Sequence, residues 1–327
     1  MLETRILETR ILETKMLENN KMLRNKVSQF LSHGGAPLSS NPVRCLSALF
    51  TLGLVLIAPQ VQAEVSLQGK LEQGALMRGQ APAGTQISLN GEAIKVTPDG
   101  HFAFGFDRDG ELSQQLTLVY PDGLTEVKPL TLTKREYDIQ SVKGISSKIM
   151  KPDPVAQERA AKDTAQVKAA RATFSEQTAF LQEFIWPLTG RISGVYGSQR
   201  IYNDVPGNPH FGVDVAAKTG TVVVAPADGV ISLSVPDMFY SGGTMVIDHG
   251  YGVSSSFLHL SKLYVNAGEA VKQGQAVAEV GATGRANGPH LDWRVNWYQM
   301  RLDPTTIVPQ MATVLANEKA NKAAKKG

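Results

Sequence analysis

Alternating hydrophobic and polar positions dominate two stretches of the chain, residues 64–137 and 185–312. In the first stretch, short apolar runs such as residues 102–106 are separated by Asn-Gly and Asp-Gly pairs, which favour tight hairpin turns. We predict a small antiparallel β sandwich there, immunoglobulin-like in type. In the second stretch, glycine-rich turns recur about every ten residues, which predicts one β domain. The fold class is therefore expected to be mainly β.

The segment between these stretches, residues 138–184, has a different composition. Ala, Gln, Glu and Lys dominate it from Pro154 onward, with no further Gly or Pro, and proline suits the first turn of a helix. Because its apolar positions are sparse, we predict a helical linker between two domains. The alternative is a helix that packs along the second domain and partly covers its groove. Residues 313–327 are predicted to be a basic tail, and the part from 317 to 327, which is mostly Lys, Ala and Asn, is predicted to be a frayed or mobile end.

The N-terminal leader, residues 1–63, has the order of a secretory signal peptide. A fourteen-residue apolar run at 45–58 follows basic residues and precedes small residues that end at Ala63, where we predict cleavage. The run is shorter than the ~20 residues of a membrane span, so an uncleaved anchor is the weaker alternative. A five-residue repeat before Met22 suggests a mis-assigned start. We expect a periplasmic or secreted protein whose mature chain has no stable membrane span.

Composition and charge narrow the class of protein further. The chain is 42% hydrophobic and 19% charged, as folded globular proteins are. The net charge of +3 resides in the leader, since residues 64–327 contain twenty-six basic and twenty-six acidic side chains. This balance predicts no nucleic-acid partner. The single cysteine, Cys45, lies in the leader, so the mature chain must be stabilised without disulfides.

Histidine and aspartate spacing suggests a metal site in the last third of the chain, which contains His210, His249, His259 and His290. His210 and Asp214 are four residues apart, and His290 and Asp292 are two apart. Even separations place side chains on one face of a strand. Zinc binds imidazole and carboxylate groups, and a catalytic site uses three such ligands with a fourth position open. Unrelated structural histidines are the alternative interpretation of the spacing alone.

Four motifs between residues 187 and 304 resemble the lysostaphin/LytM-type family of zinc peptidases, which cut peptide cross-links in bacterial cell walls. They are HFGVD at 210–214, IDHGYG at 247–252, FLHLS at 257–261 and GATGRANGPHL at 281–291. The resemblance implies a LytM-type antiparallel β catalytic domain over residues 185–312. It also implies that His210 and Asp214 bind one Zn²⁺ per chain.

The third metal ligand departs from the family pattern. The family has a histidine at the position of Asp292. A His-Asp-Asp site is chemically reasonable, and carboxylate-rich sites also accept Mn²⁺. Two carboxylates would formally neutralise the metal, so we expect a weaker Lewis acid, with lower activity or a shifted pH optimum.

The resemblance also implies roles for residues that do not bind metal. His259 and His290 match the family's two catalytic histidines, which deprotonate or orient the attacking water and stabilise the oxyanion. His249 matches a structural turn. Residues 196–203 match a loop that walls the substrate groove, where Arg200 can pair with a peptide carboxylate and Tyr202 can stack.

Together these features predict an exported zinc metallo-endopeptidase that hydrolyses peptide cross-links of peptidoglycan through a metal-activated water. The alternative is a catalytically weak or inactive LytM-type domain that binds the cell wall or regulates a peptidoglycan amidase. Four of the five expected site residues are present and the fifth is replaced by another ligand type, which favours the enzyme. The expected partners are peptidoglycan and a cell-wall amidase or another wall-remodelling protein.

Overall fold

The structure is a computed structural model that describes residues 64–144 and 153–324. The predicted signal peptide, its cleavage site and the alternative start all lie outside the described residues. The described residues belong to one compact unit, Val61–Gly327. Among them, no helix has the length and apolar character needed to cross a membrane.

Seven strands form the predicted sandwich. They are β1 (Ser66–Gln68), β2 (Leu76–Gln80), β3 (Gln86–Leu89), β4 (Glu92–Ile94), β5 (His101–Gly105), β6 (Ser113–Val119) and β7 (Thr125–Thr131). These strands make two antiparallel sheets, ordered β1-β2-β5 and β4-β3-β6-β7. Phe102, Phe104 and Phe106 lie together in the core between the sheets, because alternate residues of a strand share a face. The sandwich prediction is confirmed.

The sandwich packs directly against the second domain. The opposite face of β5 is buried as well, since Ala103 belongs to the second domain's core and a Cβ on Gly105 would lie 2.7 Å from Leu302. Arg135 and the buried Asp303 form an ion pair of 2.8 Å across the boundary. The two stretches predicted as separate domains are therefore joined by a packed interface.

The second domain is built on an eight-stranded sheet. Its strands are β9 (Arg191–Gly194), β12 (Val213–Ala216), β14 (Gly229–Met238), β15 (Gly242–Gly250), β16 (Val253–Leu260), β18 (Ala270–Val271), β20 (His290–Trp297) and β21 (Met300–Leu302). Their order is β18-β14-β15-β16-β20-β12-β9, with β21 paired to β20. A smaller antiparallel sheet consists of β13 (Val222–Val224), β19 (Ala276–Glu279) and β17 (Lys262–Leu263), in that order. The mainly β prediction is confirmed.

The segment 138–184 contains more than the predicted linker helix. Strand β8 (Ile139–Val142) pairs in parallel with β10 (Gln199–Tyr202), which also pairs with β11 (Val205–Pro206). The expected loop around Arg200 and Tyr202 is therefore a strand. Helix α1 spans Pro154–Ala172, with the Asp153 carboxylate accepting a hydrogen bond from the Ala156 N–H. A short 3₁₀ helix follows at Ala179–Leu181, and another lies at Pro304–Thr306.

Helix α1 packs along the second domain, which was the alternative to a linker. Ala170 joins a small core with Leu233, Met238 and Val246. Arg159 pairs with Asp237 at 2.7 Å, and the Phe239 N–H donates to the Asp163 carboxylate at 2.7 Å. The sparse apolar pattern did not predict this packing, because α1 contacts the domain through the small Ala170 and through the polar side chains Arg159 and Asp163.

The basic tail is helical over much of its length, and mobility of its end from residue 317 onward stays a prediction. Helix α2 spans Met311–Ala324, and its first residue is buried. Val314 packs against the core of the second domain. An amphipathic first turn, and not the Lys-rich end, holds this helix in place.

Candidate metal centre and active-site cavity

Three side chains predicted as metal ligands converge at the end of neighbouring strands. Asp214 on β12 lies directly opposite Asp292 on β20 in the antiparallel register, and His210 precedes β12. The His210 Nε2 atom lies 3.1 Å from Asp214 Oδ1 and 3.6 Å from Asp292 Oδ2. One ligand atom from each residue lies within 4.8 Å of the others. The structure thus brings together all three residues.

The donor atoms of this triplet suit a bound cation. His210 Nδ1 faces the Val195 carbonyl at 3.2 Å and donates to it, which leaves the Nε2 lone pair facing the carboxylates. His210 Nε2 and Asp214 Oδ1 are buried without a hydrogen-bond partner. Buried polar atoms are ordinarily paired, and two acceptors 3.1 Å apart are both satisfied by a cation between them. Imidazole and carboxylate donors fit Zn²⁺, and they also fit Mn²⁺.

Two glycines leave room for the carboxylates. A Cβ on Gly194 would lie 2.2 Å from Asp214 Oδ2, and one on Gly212 would lie 2.5 Å from Asp292 Oδ1. Real Cβ atoms do not approach that closely, so any larger residue would displace a carboxylate. The backbone around the triplet is therefore shaped for these acidic side chains.

The electrostatic field of the site favours positive charge at His210 Nε2. Burial alone would lower the pKa of His210, but a proton on Nε2 would be held by hydrogen bonds and charges from Asp214 and Asp292, which outweigh burial and raise the pKa to about 10. A field that retains a proton also attracts a metal cation to the same atom. The proton and the metal cation compete for this nitrogen, because a metal ligand must be unprotonated.

Arg294 is a neighbour of the triplet that the sequence analysis missed. Its Nε donates to Asp292 Oδ1 at 2.9 Å and its Nη2 to Asp292 Oδ2 at 2.6 Å. Burial would raise the pKa of Asp292, but Arg294 and His210 hold it well below its usual range. The spacing of two residues on β20 was a detectable signal, since it places both side chains on one face.

This ion pair adds a charge to the surroundings of the expected metal site. Asp214 and Asp292 contribute two negative charges and Arg294 contributes one positive charge, so the three side chains together carry one negative charge. Arg294 therefore partly offsets the second carboxylate, and the expected weaker Lewis acid stays a prediction.

His259 and His290 lie beside the triplet with their rings 4.9 Å apart. His259 Nδ1 donates to the Thr283 carbonyl at 2.8 Å, and His290 Nδ1 donates to the Gly288 carbonyl at 2.8 Å. Each ring therefore keeps the Nε2 lone pair. His290 Nε2 lies 3.8 Å from Asp214 Oδ1. Burial lowers the pKa of His259 and favours the neutral form that a general base needs.

His249 differs from the other three histidines because all of its polar atoms are paired in the core. It is fully buried, with Nδ1 donating to the Asp228 carbonyl at 2.7 Å and Nε2 lying 2.9 Å from Ser255 Oγ. Burial lowers its pKa to about 4. These contacts stabilise a turn and leave neither ring nitrogen available to bind a metal or transfer a proton.

The triplet and the two histidines line a cavity of about 1030 Å³. Arg200 and Tyr202, predicted as substrate contacts, line it from β10. Helix α1 lines another part of the cavity, through Ala160, Asp163, Thr164, Val167 and Arg171. This lining agrees with the alternative to a linker, a helix that partly covers the groove, and no local pattern predicted which of its residues face the cavity.

Known proteins resemble the part of the chain that contains this site. Residues 208–304 match the family model of Peptidase family M23. The chain contains a peptidase M23 domain. A protein of Vibrio cholerae named peptidoglycan DD-endopeptidase ShyC is 33% identical over 132 residues, which are 39% of this chain and 30% of that protein. An "Uncharacterized metalloprotease" of Haemophilus influenzae is 34% identical over 121 residues, 37% of this chain and 22% of that protein.

The chain thus spans less than a third of the length of these two relatives. A crystal structure of a candidate M23 peptidase from Pseudomonas aeruginosa matches more extensively, with 26% identity and a TM-score of 0.57. It covers 73% of this chain and 95% of that one. The structural similarity therefore extends well beyond the M23 domain. The named relatives support a peptidase, with peptidoglycan named for one of them.

Proposed function

We propose that this protein is an exported zinc metallo-endopeptidase that hydrolyses peptide cross-links of peptidoglycan. The observation that carries the proposal is the convergence of His210, Asp214 and Asp292, with buried unpaired donor atoms, beside two histidines that keep their Nε2 lone pairs. The predicted leader supports export. The M23 relatives support the substrate class.

Each side chain has a defined task in this proposal. His210, Asp214 and Asp292 would hold the metal, which polarises the scissile carbonyl and lowers the pKa of the attacking water. Of His259 and His290, one accepts a proton from that water at Nε2 and the other, when protonated, donates a hydrogen bond to the developing oxyanion. Arg200 and Tyr202 contact the peptide along the cavity wall.

One observation favours a second function, a catalytically weak or inactive domain that binds the wall or regulates an amidase. Both oxygens of Asp292 are engaged by Arg294, so this carboxylate must be shared if it also binds metal. A shared ligand binds metal less tightly than an unshared one. The proposed enzyme requires that the lone pairs of Asp292 that Arg294 does not use are sufficient to bind the metal.

Mass spectrometry of muropeptides distinguishes the two functions. Purified sacculi are incubated with the protein, once with added zinc and once with a chelator. We expect zinc-dependent loss of cross-linked dimers, and the products identify the bond that is cut. No cleavage by a folded protein in either condition would contradict the enzyme and direct the search to a bound amidase.

A further inference from the structure

Arg171, in the last turn of α1, is a buried cation with unpaired donor atoms. The residue is 3% exposed, and its Nε and Nη1 atoms are buried without a hydrogen-bond partner. It lines the same cavity as the metal triplet. Burying a charge without a counter-ion is unfavourable, so such a group requires either a ligand or another explanation.

Two further arginines line this part of the cavity, and they add positive charge. Arg294 is paired with Asp292, whereas Arg301 has no ion pair within the described ranges 64–144 and 153–324 and donates from Nη1 to Asn296 Oδ1 at a long 3.4 Å. Burial lowers the pKa of Arg171 to about 10, and Arg294 adds to this effect. Burial, Arg171 and Arg294 lower the pKa of Arg301 to about 9.

The position of Arg171 is fixed by the packing of its helix. The neighbouring Ala170 is buried against Leu233 and Val246. On the same turn, the Lys168 carbonyl accepts a hydrogen bond of 2.9 Å from the Gln299 side chain, which lies two residues before Arg301. The last turn of α1 is therefore held against the residue that precedes β21, and the Arg171 side chain there is buried and not solvated.

A carboxylate is the ligand that this pair of arginines fits best. Guanidinium groups present paired N–H donors that match the two oxygens of a carboxylate. We propose that Arg171 and Arg301 form a binding site for the terminal carboxylate of a peptide, beside the metal centre. The site adjoins the triplet through Arg294, whose partner Asp292 lies 3.6 Å from His210. That the peptide is a substrate rests on the proposed function.

The proposal has a consequence for specificity. Arg171 lies outside residues 208–304, the part matched by the family model, so half of this carboxylate site comes from a segment that the match does not include. Peptides that end near the bond to be cut would bind better than peptides that continue past it. Helix α1 would then select the substrate.

Calorimetric titration of two matched ligands tests the site without turnover. The probes are N-acetyl-D-alanyl-D-alanine and its C-terminal amide, added to the whole protein in the presence of a chelator, so that neither cleavage nor a metal–carboxylate bond contributes. We expect the acid to bind at least tenfold more tightly than the amide. Equal affinity for the two probes would overturn the proposal.

Two variants identify the arginine responsible. Arg171→Met should reduce affinity for the acid to that of the amide, whereas Arg285→Met, which removes an exposed arginine from the rim of the same cavity, should leave it unchanged. Without ligand, Arg171→Met should melt at the same or a higher temperature, because an unpaired buried charge is removed. A lower melting temperature, or unchanged binding of the acid, would show that Arg171 is structural and overturn the proposal.

The two proposals fail in different ways. Selective binding of the acid by a protein that does not cleave sacculi would retain the carboxylate site and contradict the peptidase. Zinc-dependent cleavage of sacculi by a protein that binds acid and amide equally would retain the peptidase and contradict the carboxylate site.

Discussion

The acidic and basic ends of the active-site cavity both contain buried polar atoms without partners, yet they require opposite ligands. At the acidic end, His210 Nε2 and Asp214 Oδ1 face each other at 3.1 Å and favour a cation. At the basic end, Arg171 has two unpaired nitrogens and repels its charged neighbours, which favours an anion. The acidic end lies within the M23 match, whereas the basic end depends on α1. Under the two proposals, the residues for the reaction lie within the M23 match, whereas substrate selection also requires Arg171 on α1, outside that match.

Removing the acidic end should have the largest effect. We expect Asp214→Ala to abolish metal binding and hydrolysis, because it deletes a ligand whose Oδ1 has no other partner. Bound zinc is measured by elemental analysis, and activity by release of muropeptides. Asp138→Ala, which removes an exposed carboxylate from the same cavity, is the control. Full hydrolysis by Asp214→Ala would refute the zinc assignment.

Removing a catalytic histidine should separate chemistry from metal binding. His290→Gln is expected to lower kcat by about 10²–10⁴, the usual contribution of a general acid or base, while bound zinc stays unchanged. His259→Gln should behave in the same way. Single-turnover rates and zinc content are measured on the same preparations. Loss of zinc from His290→Gln would instead make His290 a ligand, since its Nε2 lies 3.8 Å from Asp214.

Breaking the ion pair between the two ends should destabilise the protein in a metal-dependent way. Arg294→Met leaves Asp292 buried without its partner, which should cost about 3–5 kcal/mol of unfolding free energy in chelator. Zinc should restore most of this loss, because the carboxylate regains a cation. Denaturant unfolding with and without zinc measures both effects. Arg171→Met is the matched control, and an equal loss of stability in both variants would remove the distinction between paired and unpaired arginines.

Replacing His249, whose two ring nitrogens both have hydrogen-bond partners, should have the smallest effect. Its pKa is about 4 in the folded protein, against 6.5 for an unperturbed histidine, so the unfolded state takes up the proton first as pH falls. Its stabilising contribution is complete above pH 6.5 and is lost as pH falls through 4, by about 3 kcal/mol in total. Unfolding free energies of wild type and His249→Gln at pH 7, 5.5 and 4 measure this slope. An identical pH dependence in the two proteins would contradict the assignment.

Local periodicity determined much of the fold and suggested the residues of the acidic end. Alternation along a strand predicted one face for Phe102, Phe104 and Phe106, and they lie in one core, because the direction of a side chain on a strand depends on its position in the strand. The same rule paired His210 with Asp214 and His290 with Asp292, whereas the antiparallel register, which no local pattern gives, placed Asp214 opposite Asp292. The family resemblance then supplied the roles of His259 and His290, which remain proposals.

Only the tertiary structure decided the basic end and the walls of the cavity. Segments distant in sequence are joined by the hydrogen bond of α1 to Gln299, the pairing of β8 with β10 and the packing of the sandwich against Leu302. Helix α1 has no continuous apolar face that would predict the surface it packs against. The sequence determined which residues could meet on one strand face, and long-range packing determined which charges were buried together, because burial and pairing depend on neighbours that no local pattern specifies.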